Sequence, residues 1–229
     1  MLQEEKNQLV INHFAQFISE HKKTFLEKVL EQRTRYITVV LEDIFQAQNA
    51  SAVVRTCECM GLQDIHIVES KSAYAVNKKV IKGANKWIDL IRYKSKDANN
   101  IEECFKNLKE KGYRILVTEP DAEGSVIDDI SVTDQPLAIV MGNELDGASK
   151  YALQHADVKV RIPMYGFTES LNISVSAAIC LNTLIPKLRQ SNTAWHLTTE
   201  EKEFIRLQWY RKIVRRSEII EKEFLRSIE

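Results

Sequence analysis

Three short segments of the sequence hold polar side chains and glycines that could form a ligand-binding site. QAQNASAVVRT contains Asn49 and Arg55, MGNELDGAS contains Gly142 and Glu144, and IPMYGFTESLNIS begins at Ile162. Arginine and asparagine can hold a polar ligand with charged and neutral hydrogen bonds, and glycine lets main chain approach it closely. The combination is typical of a binding site.

Each segment also has a purely structural explanation. Asn49 can cap a helix and Arg55 can lie on its surface, while Ser170 and Asn172 suit the start of another helix. The glycines suit turns that need positive φ. Taken singly, these explanations are the more common ones. A site is favoured because all three segments follow predicted strands, and such segments meet at one edge of a parallel sheet.

Strands and helices alternate from about residue 36 to residue 189. Short apolar, β-branched runs predict strands at 36–41, 65–68, 87–93, 113–117, 137–141 and 158–162. Helices are predicted at 50–60, 101–111, 148–155 and 171–188, the first capped by Asn49 and the last interrupted by Pro186. This alternation predicts an α/β fold with a mostly parallel sheet.

Both ends of the chain have helical character. Residues 3–31 and 198–228 contain no glycine or proline, and apolar residues of the first stretch recur at helical spacing. We therefore predict helical extensions at 1–32 and 191–229 around a central domain at 33–190.

Composition excludes few functions. Lys and Arg number 32 and so do Asp and Glu, so any nucleic-acid partner must be bound through local charge. The beginning of the sequence, MLQEEKNQLV, lacks the basic start and apolar run of a signal peptide, and no run approaches the roughly 18 apolar residues of a membrane span. The four cysteines form no CxxC pair, which argues against zinc. A cytoplasmic protein with reduced cysteines is expected.

The common nucleotide and hydrolase signatures are missing. The chain contains no GxGxxG, no GK[ST], no GxSxG and no HExxH. These absences argue against a dinucleotide-binding fold, a phosphate-cradling ATPase loop, an α/β-hydrolase and a zinc protease.

NASAVVRT, MGNELDG and IPMYGFTESLNISVSAAICL resemble, in order, the three motifs of the SpoU–TrmH branch of the SPOUT RNA 2'-O-methyltransferases. The resemblance covers roughly residues 33–190. Within the branch the chain is most similar to the tRNA guanosine-18 2'-O-methyltransferases, because of its terminal helices and GANKW at 83–87. An rRNA 2'-O-methyltransferase and a knotted RNA-binding protein without catalysis are the alternatives. Leu145 and Asp146 depart from the second motif at positions where the family varies.

The resemblance implies a deep trefoil knot that binds S-adenosyl-L-methionine mostly through main chain, without a metal. The positions that it assigns to the cofactor are Thr118, Gly142, Glu144, Ile162, Met164 and Leu171. It assigns catalysis to Arg55, surrounded by Asn49, Glu144, Ser170 and Asn172. Because the pKa of free arginine lies far above neutral pH, we expect Arg55 to stabilise the developing oxyanion and grip a phosphate rather than act as a free base.

Two local basic sets could contact RNA. RLQWYRKIVRR offers Arg206, Arg211, Lys212, Arg215 and Arg216 without an acid, with Trp209 and Tyr210 free to pack on a core or stack on a base. On one continuous helix, Arg215 would lie one turn from Arg211, and Arg216 one turn from Lys212. The alternative is a solvated helix neutralised by Glu200, Glu201, Glu203, Glu218, Glu221 and Glu223. The second set is Lys22, Lys23, Lys28, Arg33 and Arg35.

The resemblance also implies a homodimer. In the family the helix after the third motif forms part of the interface, and both protomers can contribute to one substrate site. Small residues that would permit close packing lie there at Ser174, Ser176, Ala177 and Ala178.

Overall fold

The computed structural model describes residues 3–120 and 125–228. The chain forms two compact units, one of Thr34–Trp195 and one that combines the segments before and after it. The two ends, which the sequence analysis treated as separate extensions, thus belong to a single helical unit.

Nine helices and seven strands are assigned within the described residues. The helices are α1 (Gln3–Ala15), α2 (Glu20–Leu30), α3 (Ala47–Cys59), α4 (Lys78–Ile81), α5 (Asn100–Glu110), α6 (Lys150–His155), α7 (Ile173–Gln190), α8 (Thr199–Ile213) and α9 (Ser217–Ser227). The strands are β1 (Ile37–Glu42), β2 (Asp64–Val68), β3 (Asp89–Tyr93), β4 (Arg114–Thr118), β5 (Ser125–Val126), β6 (Leu137–Met141) and β7 (Val158–Arg161). Short 3₁₀ turns lie at Ala84–Lys86 and Ile127–Asp129.

The seven strands form one sheet in the order β3-β2-β1-β6-β4-β7-β5, and every strand pair is parallel. The neighbours β1 and β6 are buried along their whole length, which explains their continuous apolar runs. The predicted parallel α/β fold is confirmed. Since all strands point the same way, the segments after β1, β4, β6 and β7 emerge at the same edge of the sheet.

Each face of the sheet has its own core. On one face, α3 and α7 contribute residues such as Val53, Val54 and Leu184, none of them accessible to solvent. On the other face, α5 and α6 contribute Phe105 and Ala152. Strands covered on both faces hold their carboxyl ends rigidly, and those ends position the site.

The predicted interruption of the last helix of this unit is wrong. α7 continues through Pro186 to Gln190. Proline removes one helical hydrogen bond, but Ile185 and Leu188 beside it are buried in the core, and this packing keeps the chain helical.

The C-terminal stretch is helical, as predicted, but the helical spacing considered for Arg215 and Arg216 does not occur. α8 ends at Ile213, because Val214 is extended and Arg216 adopts a left-handed conformation with φ of 58°. The Ser217 hydroxyl donates a hydrogen bond to the carbonyl of Arg211, a group that the helix end leaves free. The pairs one turn apart that were expected for Arg215 and Arg216 therefore do not form.

The helical unit has a small core of its own. Trp209 and Tyr210 are buried there, which favours the packing role over base stacking for these two rings. The guanidinium of buried Arg33 lies 5.5 Å from the centre of the Trp209 ring.

Three further features concern the described residues as a whole. None of the helices is long and apolar enough to cross a membrane. All four cysteines are free thiols, with Cys57, Cys104 and Cys180 buried and Cys59 exposed. The described residues contain no group of three or more His, Cys, Asp or Glu side chains that could hold a metal ion. The trefoil knot stays a prediction.

Candidate active site

A cavity of about 500 Å³ opens at the carboxyl edge of the sheet. Its walls come from the three segments singled out in the sequence and from the chain after β4. Every residue assigned to the cofactor lines it, namely Thr118, Gly142, Glu144, Ile162, Met164 and Leu171. Asn49, Ser170 and Asn172 line it as well. The structure thus brings together all but one of the predicted catalytic and cofactor residues.

The carboxylate of Glu144 ties the second segment to the first. One oxygen accepts a hydrogen bond from the backbone N–H of Phe45 at 3.0 Å. The other accepts from the Asn49 side chain at 2.8 Å and from the backbone N–H of Gln46 at 3.3 Å. These donors lie at the start of α3, where the N-cap residue Gln46 forms no capping bond with its own side chain. Glu144 therefore satisfies the helix start from a distant part of the chain.

These hydrogen bonds decide the charge of Glu144. Burial by itself would raise the pKa of the carboxyl group, but hydrogen bonds from the Asn49 side chain and from the backbone of Phe45 and Gln46 outweigh it, so the pKa lies below its ordinary value. Glu144 is therefore an anion at neutral pH, which the positive end of the α3 dipole also favours.

Asn172 brings the third segment into the same network. Its side-chain amide nitrogen donates a hydrogen bond to the side-chain carbonyl oxygen of Asn49 at 3.1 Å. Its own carbonyl oxygen caps α7 by accepting from the backbone N–H and the hydroxyl of Ser174, at 2.9 and 2.6 Å. The structural role proposed for Asn172 is thus confirmed, and the same side chain also reaches the cavity.

The predicted capping role of Asn49 is wrong. α3 begins at Ala47, so Asn49 lies inside its first turn. Its side chain bonds the side chains of Glu144, Asn172 and Gln46 rather than a backbone N–H of its own helix. A glutamate from elsewhere in the chain does the capping, which lets the helix start two residues before Asn49.

Gly142 is required by the loop that it begins. Asn143 and Gly147 exchange two backbone hydrogen bonds of 2.9 and 3.0 Å, which closes the second segment into a tight hairpin. A Cβ atom on Gly142 would lie 2.2 Å from the backbone nitrogen of Ala148. The close approach that glycine permits here is therefore, first of all, one between two parts of the same loop.

Asn143 fixes this hairpin to the sheet. Its side-chain nitrogen donates to the carbonyl of Asp43 at 2.7 Å, and its oxygen accepts from the N–H of Leu145 at 2.7 Å. Asn143 and Gln46 were not among the predicted site residues, although both lie in the three segments. The available signal was the amide side chain itself, which in a tight loop often bonds neighbouring main chain.

Arg55 does not line the cavity. It lies six residues beyond Asn49 in α3, which turns its side chain by about 240° around the helix and moves it about 9 Å along the axis. It is exposed and forms no hydrogen bond or ion pair with any residue in the described part of the chain. Its guanidinium is thus available to a group from outside the chain.

The two basic sets predicted to contact RNA are partly neutralised. Arg206 forms a bidentate ion pair with Glu27, at 2.6 and 2.7 Å, and Arg211 forms one with Glu221. Lys212, Arg215 and Arg216 are exposed. The alternative, a helix neutralised by nearby glutamates, is therefore correct for Arg211. Arg206 is also neutralised, but by Glu27 of α2, which was not among the glutamates considered.

The second set does not form one surface. Arg33 is buried in the helical unit, whereas Arg35 belongs to the α/β unit, where its ion pairs are with Asp64 and Asp89. Lys23 pairs with Glu20. Only Lys22 and Lys28 of this set are exposed cations without a partner among the described residues.

Comparison with known sequences identifies the family. The sequence profile of the SpoU rRNA Methylase family matches residues 36–182, which is more than half of the chain. The chain belongs to this family of methylases. The resemblance seen in the three motifs is thereby confirmed, and the match spans β1 to the middle of α7.

Two curated relatives are informative. The match to the first extends beyond residues 36–182, and the second is named for a different RNA substrate. A tRNA (guanosine(18)-2'-O)-methyltransferase of Borreliella burgdorferi is 42% identical over 211 residues, which are 92% of this chain and 94% of the relative. A 23S rRNA (guanosine-2'-O-)-methyltransferase of Neisseria meningitidis serogroup B is 34% identical over 69% of this chain and 61% of the relative.

Solved structures share the fold. The TrmH/SpoU tRNA modifying enzyme of A. aeolicus superposes with a TM-score of 0.75 and 28% identity, and the match covers 86% of this chain and 98% of that one. The SpoU methyltransferase AviRb of Streptomyces viridochromogenes, solved in complex with AdoMet, gives a TM-score of 0.55 at 17% identity over 72% of this chain and 62% of that one. The second likeness shows the fold alone.

Replacing Glu144 by glutamine should loosen the site. The amide group would place a donor against the N–H groups of Phe45, Gln46 or Asn49, so at least one hydrogen bond is lost. We expect the free energy of unfolding to fall by about 1 to 3 kcal/mol, measured by chemical denaturation. Glu169→Gln removes the same charge at an exposed position of the cavity rim and should leave the value near that of the wild type.

This difference should depend on pH. Because the pKa of Glu144 is lowered in the folded protein, its stabilisation is complete above the unfolded pKa, about 4.3, and is lost as the pH falls through the folded value. Denaturation curves of the wild type and Glu144→Gln should therefore differ most at neutral pH and converge in acid. A constant difference down to acid pH would contradict the role of the charge.

Proposed function

We propose that the protein transfers a methyl group from S-adenosyl-L-methionine to a ribose 2'-hydroxyl of RNA, most specifically that of a guanosine in the D-loop of tRNA. The observation that carries the proposal is the convergence of the three family segments on one cavity through Glu144, Asn49 and Asn172. Membership of a methylase family gives the reaction class.

The cavity fits such a cofactor. Its volume of about 500 Å³ is within the range of roughly 300 to 1,000 Å³ that small-molecule sites occupy. Ile162, Met164 and Leu171 offer apolar walls for an adenine, and the loops after β4, β6 and β7 offer backbone donors and acceptors. When bound, S-adenosyl-L-methionine supplies an activated methyl group, so no metal is needed for the transfer.

Arg55 acts on the RNA in this proposal. The 2'-hydroxyl must lose its proton as its oxygen attacks, and a guanidinium stabilises the developing negative charge while gripping an adjacent phosphate. The phosphate can accept or relay the proton, which arginine cannot do readily with its high pKa. Asn49 is held by Glu144 and Asn172 is held by Asn49, and together they fix the starts of α3 and α7 around the reacting groups.

A homodimer explains how Arg55 can work without lining the cavity of its own protomer. The large exposed apolar side chains described in the α/β unit lie mostly in the three segments, directly before the first of them, or in the first turn of α7. They are Phe45, Leu145, Tyr165, Phe167, Leu171 and Val175, and Val76 lies elsewhere. Such a cluster is typical of an interface. In the proposed dimer, Arg55 of one protomer serves the cavity of the other.

The preference for tRNA over rRNA rests on the similarity of nearly the whole chain to one relative. The Borreliella relative, named for tRNA, aligns over 92% of this chain, whereas the rRNA-modifying relative aligns over 69%. The free thiols suit the reducing cytoplasm in which such RNA is modified. An rRNA substrate is the second candidate, and loss of catalysis is the third.

Methylation assays with Arg55→Lys test the chemistry. With labelled cofactor, wild-type protein should methylate a tRNA pool and not an rRNA pool, and mapping should place the methyl group on a D-loop guanosine. Lysine lacks the planar fork of arginine, so Arg55→Lys should lose about 100-fold or more in turnover while cofactor affinity stays unchanged.

Arg114→Lys, at the opposite edge of the sheet, is the matched control and should methylate normally. Near-normal turnover of Arg55→Lys would contradict the clamp. An inactive wild type that still binds RNA would favour the non-catalytic alternative, and methylation of rRNA alone would favour the second candidate.

Mixed dimers test the shared site. Arg55→Ala keeps the cavity, whereas Gly142→Ala should distort it, because the added Cβ meets the backbone of Ala148. Each variant alone should be inactive, but mixed dimers should regain activity, since each contains one intact cavity facing one intact Arg55. If the mass shows that mixed dimers have formed and the mixture is still inactive, Arg55 and the cavity that it serves belong to the same protomer. If the wild type has the mass of a monomer, the dimer itself is excluded.

A further inference from the structure

A basic segment without acids lies between β2 and β3. From residue 70 to residue 88 the sequence holds five lysines and no aspartate or glutamate, although the chain as a whole has zero net charge. The lysines are Lys71, Lys78, Lys79, Lys82 and Lys86, and all five are exposed. We call residues 70–88 the lysine segment. It lies outside the two basic sets that were predicted from the sequence to contact RNA.

The backbone of the lysine segment is held in place at its start and middle. One carboxylate oxygen of Asp43 accepts hydrogen bonds from the backbone N–H groups of residues 70, 71 and 72, at 2.7, 2.7 and 3.1 Å. The backbone N–H of Asn77 donates to the hydroxyl of buried Ser51 at 2.8 Å. Ile81 and Ala84 are buried in the core beneath α3. The lysines therefore project from a fixed scaffold rather than from a free loop.

The lysine segment borders both parts of the candidate active site. α4 and the 3₁₀ turn after it pack against α3, and Ser51, which holds Asn77, lies one helical turn before Arg55. At its other end, the Lys71 ammonium lies 3.8 Å from the Asp146 carboxylate in the second segment. Both side chains are largely exposed, so this pair adds little stability, but it places Lys71 beside the cavity loop.

Few carboxylates compete for these lysines. Lys78, Lys79 and Lys82 form no ion pair with any residue in the ranges that the structure describes. Glu58 is the one acidic residue of α3. Arg206 and Arg211 of the C-terminal set, in contrast, are held by glutamates in bidentate pairs that an RNA phosphate would have to break.

We propose that the lysine segment binds the phosphates of the RNA strand that carries the target nucleotide, with Lys78, Lys79 and Lys82 as its main contacts. The inference rests on the proposed function, because it takes RNA as the substrate. Lysine ammonium groups bind phosphate as point charges, release counterions and read no sequence. The segment would thus hold the strand while Arg55 acts on one nucleotide.

A triple substitution tests this surface. Lys78→Gln and Lys79→Gln remove charge from α4, and Lys82→Asn does so with a residue that suits the left-handed conformation of position 82. RNA affinity, measured with a tRNA transcript at several salt concentrations, should fall by about tenfold or more near 0.1 M salt, and the slope of log affinity against log salt should become shallower by about 2. Cofactor affinity and turnover at saturating RNA should match the wild type.

One control variant removes the same number of charges, and a second variant tests the rival surface. Lys96→Gln, Lys106→Gln and Lys111→Gln remove three exposed lysines on and around α5, on the other face of the sheet, and should leave the salt slope unchanged. Arg215→Gln with Arg216→Asn tests the C-terminal set.

The outcomes separate this inference from the proposed function. If the wild type methylates RNA while the triple variant keeps the wild-type affinity and salt slope, or if only the C-terminal variant changes them, the lysine segment is not the RNA surface and the proposed function stands. If the wild type neither binds nor methylates RNA, the proposed function itself is wrong.

Discussion

The carboxylate of Glu144 is the interaction on which the geometry of the site depends. Three loops that are distant in sequence leave the same edge of a parallel sheet, and nothing in the sheet alone would fix their relative positions. Glu144 accepts hydrogen bonds from the start of α3, and through Asn49 it is linked to the cap of α7. A single, partly exposed carboxylate at a helix start thus holds three turns together as one cavity, and it forms no ion pair among the described residues.

Local charge, rather than net charge, organises the rest of the molecule. In the helical unit, Arg206 and Arg211 are neutralised by glutamates on neighbouring helices, so these cations contribute to the assembly of that unit. In the α/β unit, Lys78, Lys79 and Lys82 beside α3 form no ion pair with the described residues, and neither does Arg55. A neutral protein can in this way present cations where an anionic substrate would approach and keep the others paired.

Much of this fold follows from the sequence, because its strands are covered on both faces. The run at 137–141 is buried throughout and its limits were predicted correctly, and the three polar segments were predicted to share an edge. What the sequence could not show depends on partners distant along the chain. The start of α3 is set by Glu144, the fate of Arg206 by Glu27, and the course of α7 through Pro186 by the packing of Ile185 and Leu188. The importance of the lysine segment appears only when its contact with α3 is known.

The central claim is that Glu144, Asn49 and Asn172 act as one unit that shapes the cavity. A double-mutant cycle on cofactor affinity tests it most directly, with Glu144→Gln, Asn49→Ala and their combination measured by calorimetry. Since Asn49 is held by the carboxylate, its removal should cost little once Glu144 has been replaced, so the double variant should bind the cofactor about as weakly as Glu144→Gln alone. Costs that simply add would show that the two side chains act independently, and would contradict the account.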